Sequence, residues 1–429
     1  MRRGRPGHTG RVSTRPPTTT SRPVRDHRLA AAGAFAVQGL LFIALTLRLP
    51  QLKEQFDLDE LELSGLMLML VLLAGVGSVV AEGLARRRDS AAAVRTALVL
   101  LAVGTALVGV ATAGEGTLAV LVLAVALYGL GVGANDAASN MQAVAVEHRV
   151  GRPVLPSFHA AWTAGGLLAT LGVLALAGLT HPAAHVALTA LPVALLAAPF
   201  LPRDHGAEAH DPTSLGVPWR TIALVGLGLV LFYSVDTAVT AWGPVYLSSD
   251  AVFTDPPTSP DLYALATLPY LVATLLARSV GDAATARLGA PTVVRAGALT
   301  AFVGLAVVVF APAATWPVAV AGFFVVGLGV AVVAPLAFSA AARVAGAAGD
   351  EAARRRRVDA TIARFNQFNY AGALLGSVLT GAIGTTTLRV GFALPMVLVL
   401  GLVPLARHFA GSPMATRSEN SLAPRAGAP

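Results

Sequence analysis

The stretch Gly129-Leu-Gly131-Val-Gly133-Ala-Asn135-Asp136-Ala-Ala-Ser139-Asn140-Met-Gln142 decides the fold. It lies in an apolar run near 117–145, longer than the roughly 20 residues a helix needs to cross a bilayer. Its opening Gly-Leu-Gly-Val recurs at 327–330, an offset of 198 that also carries the Arg86 segment onto Arg278 to Arg287. Comparable runs fall near 29–49, 63–84, 95–113, 157–178 and 184–201, then near 219–247, 262–279, 293–312, 316–342, 361–384 and 388–407. The pattern predicts an all-α membrane protein with twelve transmembrane helices in two pseudo-symmetric six-helix halves. The halves are 29–201 and 219–407, joined by a polar linker at 202–218 and flanked by tails 1–28 and 408–429. Parallel repeats of this kind occur in secondary transporters.

Composition agrees. Only 13% of the 429 residues are charged and 55% are apolar, about half the charged fraction of a soluble domain. The net charge of +8 invites a nucleic-acid partner, but such proteins cluster their basic residues on a solvated surface; with a mean hydropathy of +0.69, none is expected. The absence of cysteine excludes disulfides, thiolate metal sites and a cysteine nucleophile. With the N-terminus inside, 28 of the 31 basic residues face the cytoplasm, so both termini are expected there, in the inner membrane. The tail holds eight arginines and little to bury, which predicts disorder. Leu29 is expected to begin an uncleaved first helix, an over-long start being the alternative.

At the second-half basic segment the chain reads Arg278-Ser-Val-Gly281-Asp282-Ala-Ala-Thr-Ala-Arg287-Leu-Gly289. This resembles the Gly-x-x-x-Asp-Arg-x-Gly loop of the major facilitator superfamily, with Gly-Asp preceding a later Arg-x-Gly. The resemblance implies a conformational latch of Arg278, Gly281, Asp282 and Arg287, an ion pair that breaks when the halves rock; the alternative is a solvated basic loop. The first-half counterpart, Ala81-Glu82-Gly83 to Arg88-Asp89, is degenerate, with Glu82 or Asp89 as substitute acid. The stretch from Gly129 continues through Gly151-Arg152-Pro153 to Phe158-His159-Ala-Ala-Trp162. It is similar to the Asp-x-x-x-Asn, Gly-Arg-Pro and Phe-His-Ala-x-Trp pattern of the superfamily's uncharacterised bacterial YbjJ-like branch, distantly fucose-permease-like. Further matches are Gly327 to Gly329, Pro335, Phe338 to Ala341, Ala363-Arg364, Tyr370 and Gly372. That branch implies a transporter of no settled substrate.

Gly129, Gly133, Asp136 and Asn140 share one helical face, where an intramembrane acid normally meets a water path or a partner. Asp136 therefore reads as a proton-coupling or gating acid, or as a structural tie to His159, Arg152 or the following turn. In the seventh span Tyr233, Asp236, Thr237 and Thr240 form a polar stripe, giving Asp236 the same two readings. Trp242 and Tyr246 are expected in an interfacial aromatic belt. Asn366, Gln367, Asn369 and Tyr370 place amides and an aromatic ring in the eleventh span, suited to a polar, hydroxylated solute or to interhelical glue. Gln38, Asn135, Asn140, Trp162 and Tyr233 complete the expected substrate cavity, and His159 is a proton shuttle or a structural histidine. Arg48 is expected to snorkel outward with Lys53.

These residues predict a monomeric secondary transporter moving a small polar, sugar-like solute with protons by alternating access, with no cofactor and no metal. Drug or metabolite efflux is the alternative, although Gly165-Gly166 lacks the following proline of antiporter motifs. Neither a nucleophile elbow, a His-Glu-x-x-His motif nor a phosphate loop occurs, so an enzyme is not expected. A sensor without turnover is not distinguishable at this level.

Overall fold

The computed structural model describes residues 22–113, 116–150, 154–175, 181–201, 218–346, 357–358, 361, 365 and 367–410. Among these there is no strand, and ten helices are long and apolar enough to cross a membrane. They are α1 (Arg22–Thr46), α2 (Glu60–Arg87), α3 (Ser90–Ala111), α4 (Leu118–Val150) and α5 (Leu155–Ala175) in the first half. In the second half they are α7 (Trp219–Leu247), α8 (Leu268–Leu288), α9 (Ala290–Val309), α10 (Trp316–Ala345) and α12 (Leu388–Phe409). Shorter described helices hold the other two places: α6 (His181–Leu195) and α11, which runs from Gln367 to Ile383. Residues 202–217 of the linker and the tails 1–21 and 411–429 lie outside the described residues.

Helix ends follow local chemistry. Asp59 and Glu62 form a reciprocal capping box at α2, with bonds of 2.7 and 2.9 Å. Asp89, expected as a substitute latch acid, instead caps α3 by accepting from the Ala92 amide at 2.6 Å. The helix α1 starts at Arg22, earlier than expected, and its first turns are tied down: His27 Nδ1 lies 2.5 Å from the Pro199 carbonyl, and Arg28 donates to Ser157 Oγ at 3.2 Å. Likewise α8 continues to Leu288, where Gly289 adopts a φ of 79° and ends it. The segment from Arg278 to Arg287 is thus the last turns of a helix rather than a loop.

The repeated Gly-Leu-Gly-Val packs alike in both halves. A Cβ at Gly129 would sit 2.7 Å from the Leu70 carbonyl of α2, and one at Gly131 2.8 Å from the Leu101 amide of α3. Their counterparts Gly327 and Gly329 press equally closely on Tyr270 of α8 and Ala301 of α9. Small residues let these backbones meet, which is how helices associate where lipid supplies no hydrophobic drive. The pseudo-symmetry therefore has a packing cause.

Two expectations at the face opposite the arginine clusters are corrected. Trp242 and Tyr246 do not form a lipid-interface belt; both are 0% exposed. Each polar tip finds a carbonyl inside the protein, Trp242 Nε1 on Ser377 at 2.6 Å and Tyr246 OH on Val308 at 2.5 Å, so burial leaves nothing unsatisfied. Nor does Arg48 snorkel with Lys53: it is half-buried, within Coulombic reach of Asp261, while Lys53 pairs with Glu60 at 2.5 Å.

At the same face Arg389, in the first turn of α12, donates to the carbonyls of Val252 (2.8 Å), Val309 (3.1 Å) and Ala311 and lies over the Phe253 ring. Val309 ends α9, so the guanidinium also sits at the negative end of that helix dipole. Arg389→Ala is expected to lower stability by roughly 2–3 kcal/mol, since charged hydrogen bonds of this kind are lost together. Arg389→Lys should recover only part, because an ammonium lacks the planar fork. An unchanged melting temperature for the alanine variant in detergent would contradict this role.

Candidate functional site

Neighbouring residues of α4 turn to different partners. Asn135 is fully buried and donates to the Ala34 carbonyl at 3.1 Å and to Gln38 Oε1 at 2.8 Å, both in α1. Gln142 is consumed similarly, by Ser90 Oγ and both backbone groups of Leu201. These amides hold the first half together. Asp136 instead faces the second half: its Oδ2 accepts from the Tyr370 hydroxyl of α11 at 2.8 Å. Asn140 braces it from one turn on, donating to the Asp136 carbonyl at 2.9 Å and, more weakly, to Oδ1 at 3.4 Å.

The second carboxylate lies in α7. Asp236 Oδ1 accepts from the Tyr270 hydroxyl of α8 at 2.5 Å, and its carbonyl accepts from Thr240 at 2.8 Å. It stands just before a π-helical turn, Ala238–Trp242, and α11 carries another, Leu375–Leu379. The two widened turns meet, because Trp242 reaches Ser377 and a Cβ at Gly376 would overlap the Ser234 carbonyl. Single π turns of this kind are frequent at functional sites. Tyr233, one turn before Asp236, is half-buried and within electrostatic range of Asp136, Asp236 and Arg278, so the four groups share one neighbourhood.

From α5, His159 stands between Phe35 of α1 and Phe338 of α10, with ring centroids at 5.4 and 6.3 Å. One turn on, Thr163 Oγ accepts from Arg278 Nη1 at 3.0 Å, while Arg278 Nε donates to the Ala331 carbonyl at 3.1 Å. Ala331 marks a break in α10 between Val330 and Val333. Arg278 lies in the last turn of the span Pro260–Gly281, three residues or about 4.5 Å from its end, and α8 runs on for ten residues beyond it. Of its expected latch companions, Gly281 packs against Val332 of α10, Arg287 is exposed, and the Asp282 side chain lies outside the described ones.

The remaining expected contacts are scattered. Trp162 is half-buried beside Phe42, centroids 6.3 Å apart. In α11 Gln367 is exposed and Asn369 half-buried, and Asn366 lies outside the described residues. Tyr270 was not anticipated as a site residue, yet Tyr270, Thr274 and Arg278 fall at i, i+4 and i+8 on one face of α8. That polar stripe is the signal that would have found it.

The Asp136–Tyr370 and Arg278–Thr163 bonds thus cross between the two six-helix halves, with Asp236 held by Tyr270 within the second half. The Major Facilitator Superfamily model matches residues 2–153. An uncharacterised transporter of Sinorhizobium fredii, y4wD, is 32% identical over 320 residues, covering 72% of this chain and 81% of that protein. A solved structure of a variant of the nucleoside transporter NupG superposes with a TM-score of 0.65 at 13% identity, over 90% of this chain and 98% of that one. The superfamily transporter FucP in its outward conformation gives 0.61 at 14% identity, over 91% and 100%. The chain belongs to the major facilitator superfamily, and is a multi-pass membrane transporter rather than an enzyme.

Proposed function

We propose that this protein is a proton-coupled secondary transporter of the cytoplasmic membrane, moving a small polar solute by alternating access as a monomer with both termini inside. The observation that carries this reading is the Asp136–Tyr370 bond, an intramembrane carboxylate held by a hydroxyl from the opposite half. A proton reaching Asp136 makes the carboxyl a donor itself and weakens its claim on Tyr370, so protonation and separation of the halves become one event. Asp236 and Tyr270 repeat the chemistry within the second half, providing a second proton acceptor. His159, between Phe35 of the first half and Phe338 of the second, lies on the same seam.

Uptake by proteoliposomes under an imposed pH gradient tests this. Asp236→Asn is expected to reduce gradient-driven accumulation at least about tenfold, in the range of a lost acid–base group, while solute exchange at equal pH persists. Accumulation that ignores the gradient in the unmodified protein would sink proton coupling.

A further inference from the structure

Arg278 stands in the last turn of its span, half-buried between two helices of different halves. A guanidinium within a span is expensive and is ordinarily neutralised by a carboxylate or turned to water. Here its two engaged nitrogens meet a hydroxyl and a carbonyl, Thr163 and Ala331, which satisfy hydrogen bonds without cancelling charge. Asp236 is within Coulombic range, yet no ion pair joins the two among the described residues, and one Asp236 oxygen is already held by Tyr270. The third nitrogen, Nη2, meets no hydrogen-bond acceptor among the described residues and is not sealed from solvent. Its donors therefore face open space at the seam, between α5 of one half and the break in α10 of the other.

A forked donor carrying an uncancelled positive charge is matched by an oxyanion, which accepts planar hydrogen bonds and supplies the missing charge. We propose that the transported solute carries an anionic group, a carboxylate or phosphate, and that this group docks on the free edge of Arg278. The proposal rests on the transporter reading above. Asp236 then acts against the anion while charged, so a solute anion is accommodated best when that acid is neutral. The competing role for Arg278 is a strut joining α8, α5 and α10, with no ligand.

Thermal stabilisation of the purified full-length protein by matched pairs, gluconate with sorbitol and glycerol phosphate with glycerol, separates these roles. An anionic member is expected to stabilise the protein at concentrations where its neutral partner does not. Gluconate alone or glycerol phosphate alone tells carboxylate from phosphate. Arg278→Gln, which keeps hydrogen bonding but removes charge, should weaken the apparent affinity at least about tenfold, and Arg278→Lys by less. Asp236→Asn should leave anion binding intact or tighten it. The proposal is overturned if neither anion stabilises the protein, if neutral partners do so equally, or if the effect survives Arg278→Gln. It is also overturned if Asp236→Asn abolishes the effect, since the ligand would then need a cationic group as well. A monodisperse Arg278→Gln protein that keeps a cooperative melting transition without ligand serves as the folding control. A neutral compound that binds and is taken up by proteoliposomes would refute the anion and leave the transporter reading standing. A bound compound that is never carried would refute the transporter reading instead.

Discussion

Asp136→Asn is expected to abolish gradient-driven accumulation, and Tyr370→Phe to shift the balance between conformations without removing the acid. The two substitutions address the same bond from opposite ends. Asn in place of Asp136 keeps the size and one acceptor but cannot take up a proton, so coupling is lost while the Tyr370 contact can persist. Phe in place of Tyr370 keeps the ring and deletes the only hydroxyl it carries, while the Asp136 carboxyl stays in place. A hydrogen bond to a charged group contributes roughly 1.5–3 kcal/mol, which corresponds to about a ten- to hundredfold change in the ratio of joined to separated halves. Accumulation should therefore fall at least about a hundredfold in Asp136→Asn. In Tyr370→Phe it should persist, with an altered apparent affinity and faster exchange. Equal losses of accumulation and exchange in both variants would mean that the bond only holds the protein together, and the coupling role would fall.

The reading of Asp136 illustrates what the sequence carries and what it withholds. Periodicity placed Asp136 and Asn140 on a common face, and Asn140 does brace Asp136. It could not say that Asn135, one residue earlier, turns 100° away into α1 and is consumed by Gln38, because partner identity depends on tertiary packing. The repeated Gly-Leu-Gly-Val was legible as symmetry, and its packing is symmetric; the polar groups are not. The residue 198 positions after Asp136 is Ala334, and the residue 198 positions before Arg278 is Val80, so the repeat preserved contacts while the halves diverged in chemistry. Arg278 shows the opposite difficulty. Resemblance to a loop motif places it in a loop, whereas the helix runs uninterrupted to Leu288 and holds Arg278 in the last turn of the span, bonded to Thr163 and Ala331. Trp242 and Tyr246 were assigned to lipid by their position along the chain, and only the carbonyls of Ser377 and Val308 explain why they are buried.

Gly381→Leu is expected to hold the halves apart at the contact between α2 and α11. Gly381 is buried in α11, and a Cβ there would overlap both Ser64 Oγ of α2 and the Trp242 ring. Ser64 belongs to the first half and Gly381 to the second, so closing this contact requires the hydrogen atom that glycine alone presents. A leucine adds far more volume than such a contact absorbs; overpacking of a fitted core costs about 1–3 kcal/mol even when neighbours give way. Separating α2 from α11 relieves the overlap with Ser64, whereas the overlap with Trp242 has to be absorbed within the second half. The chain contains no cysteine, so Ser64→Cys provides a single thiol at a site only 2% exposed. Maleimide labelling of that thiol is expected to be slow in the parent background and at least about tenfold faster with Gly381→Leu, while uptake is lost. Because Trp242 shares a half with Gly381, misfolding must be told apart from wedging: Ser64→Leu pushes on the same contact from the other side and should abolish uptake in the same way. A Gly381→Leu protein that remains monodisperse, transports normally and keeps the introduced thiol protected would show that the halves do not close through Gly381.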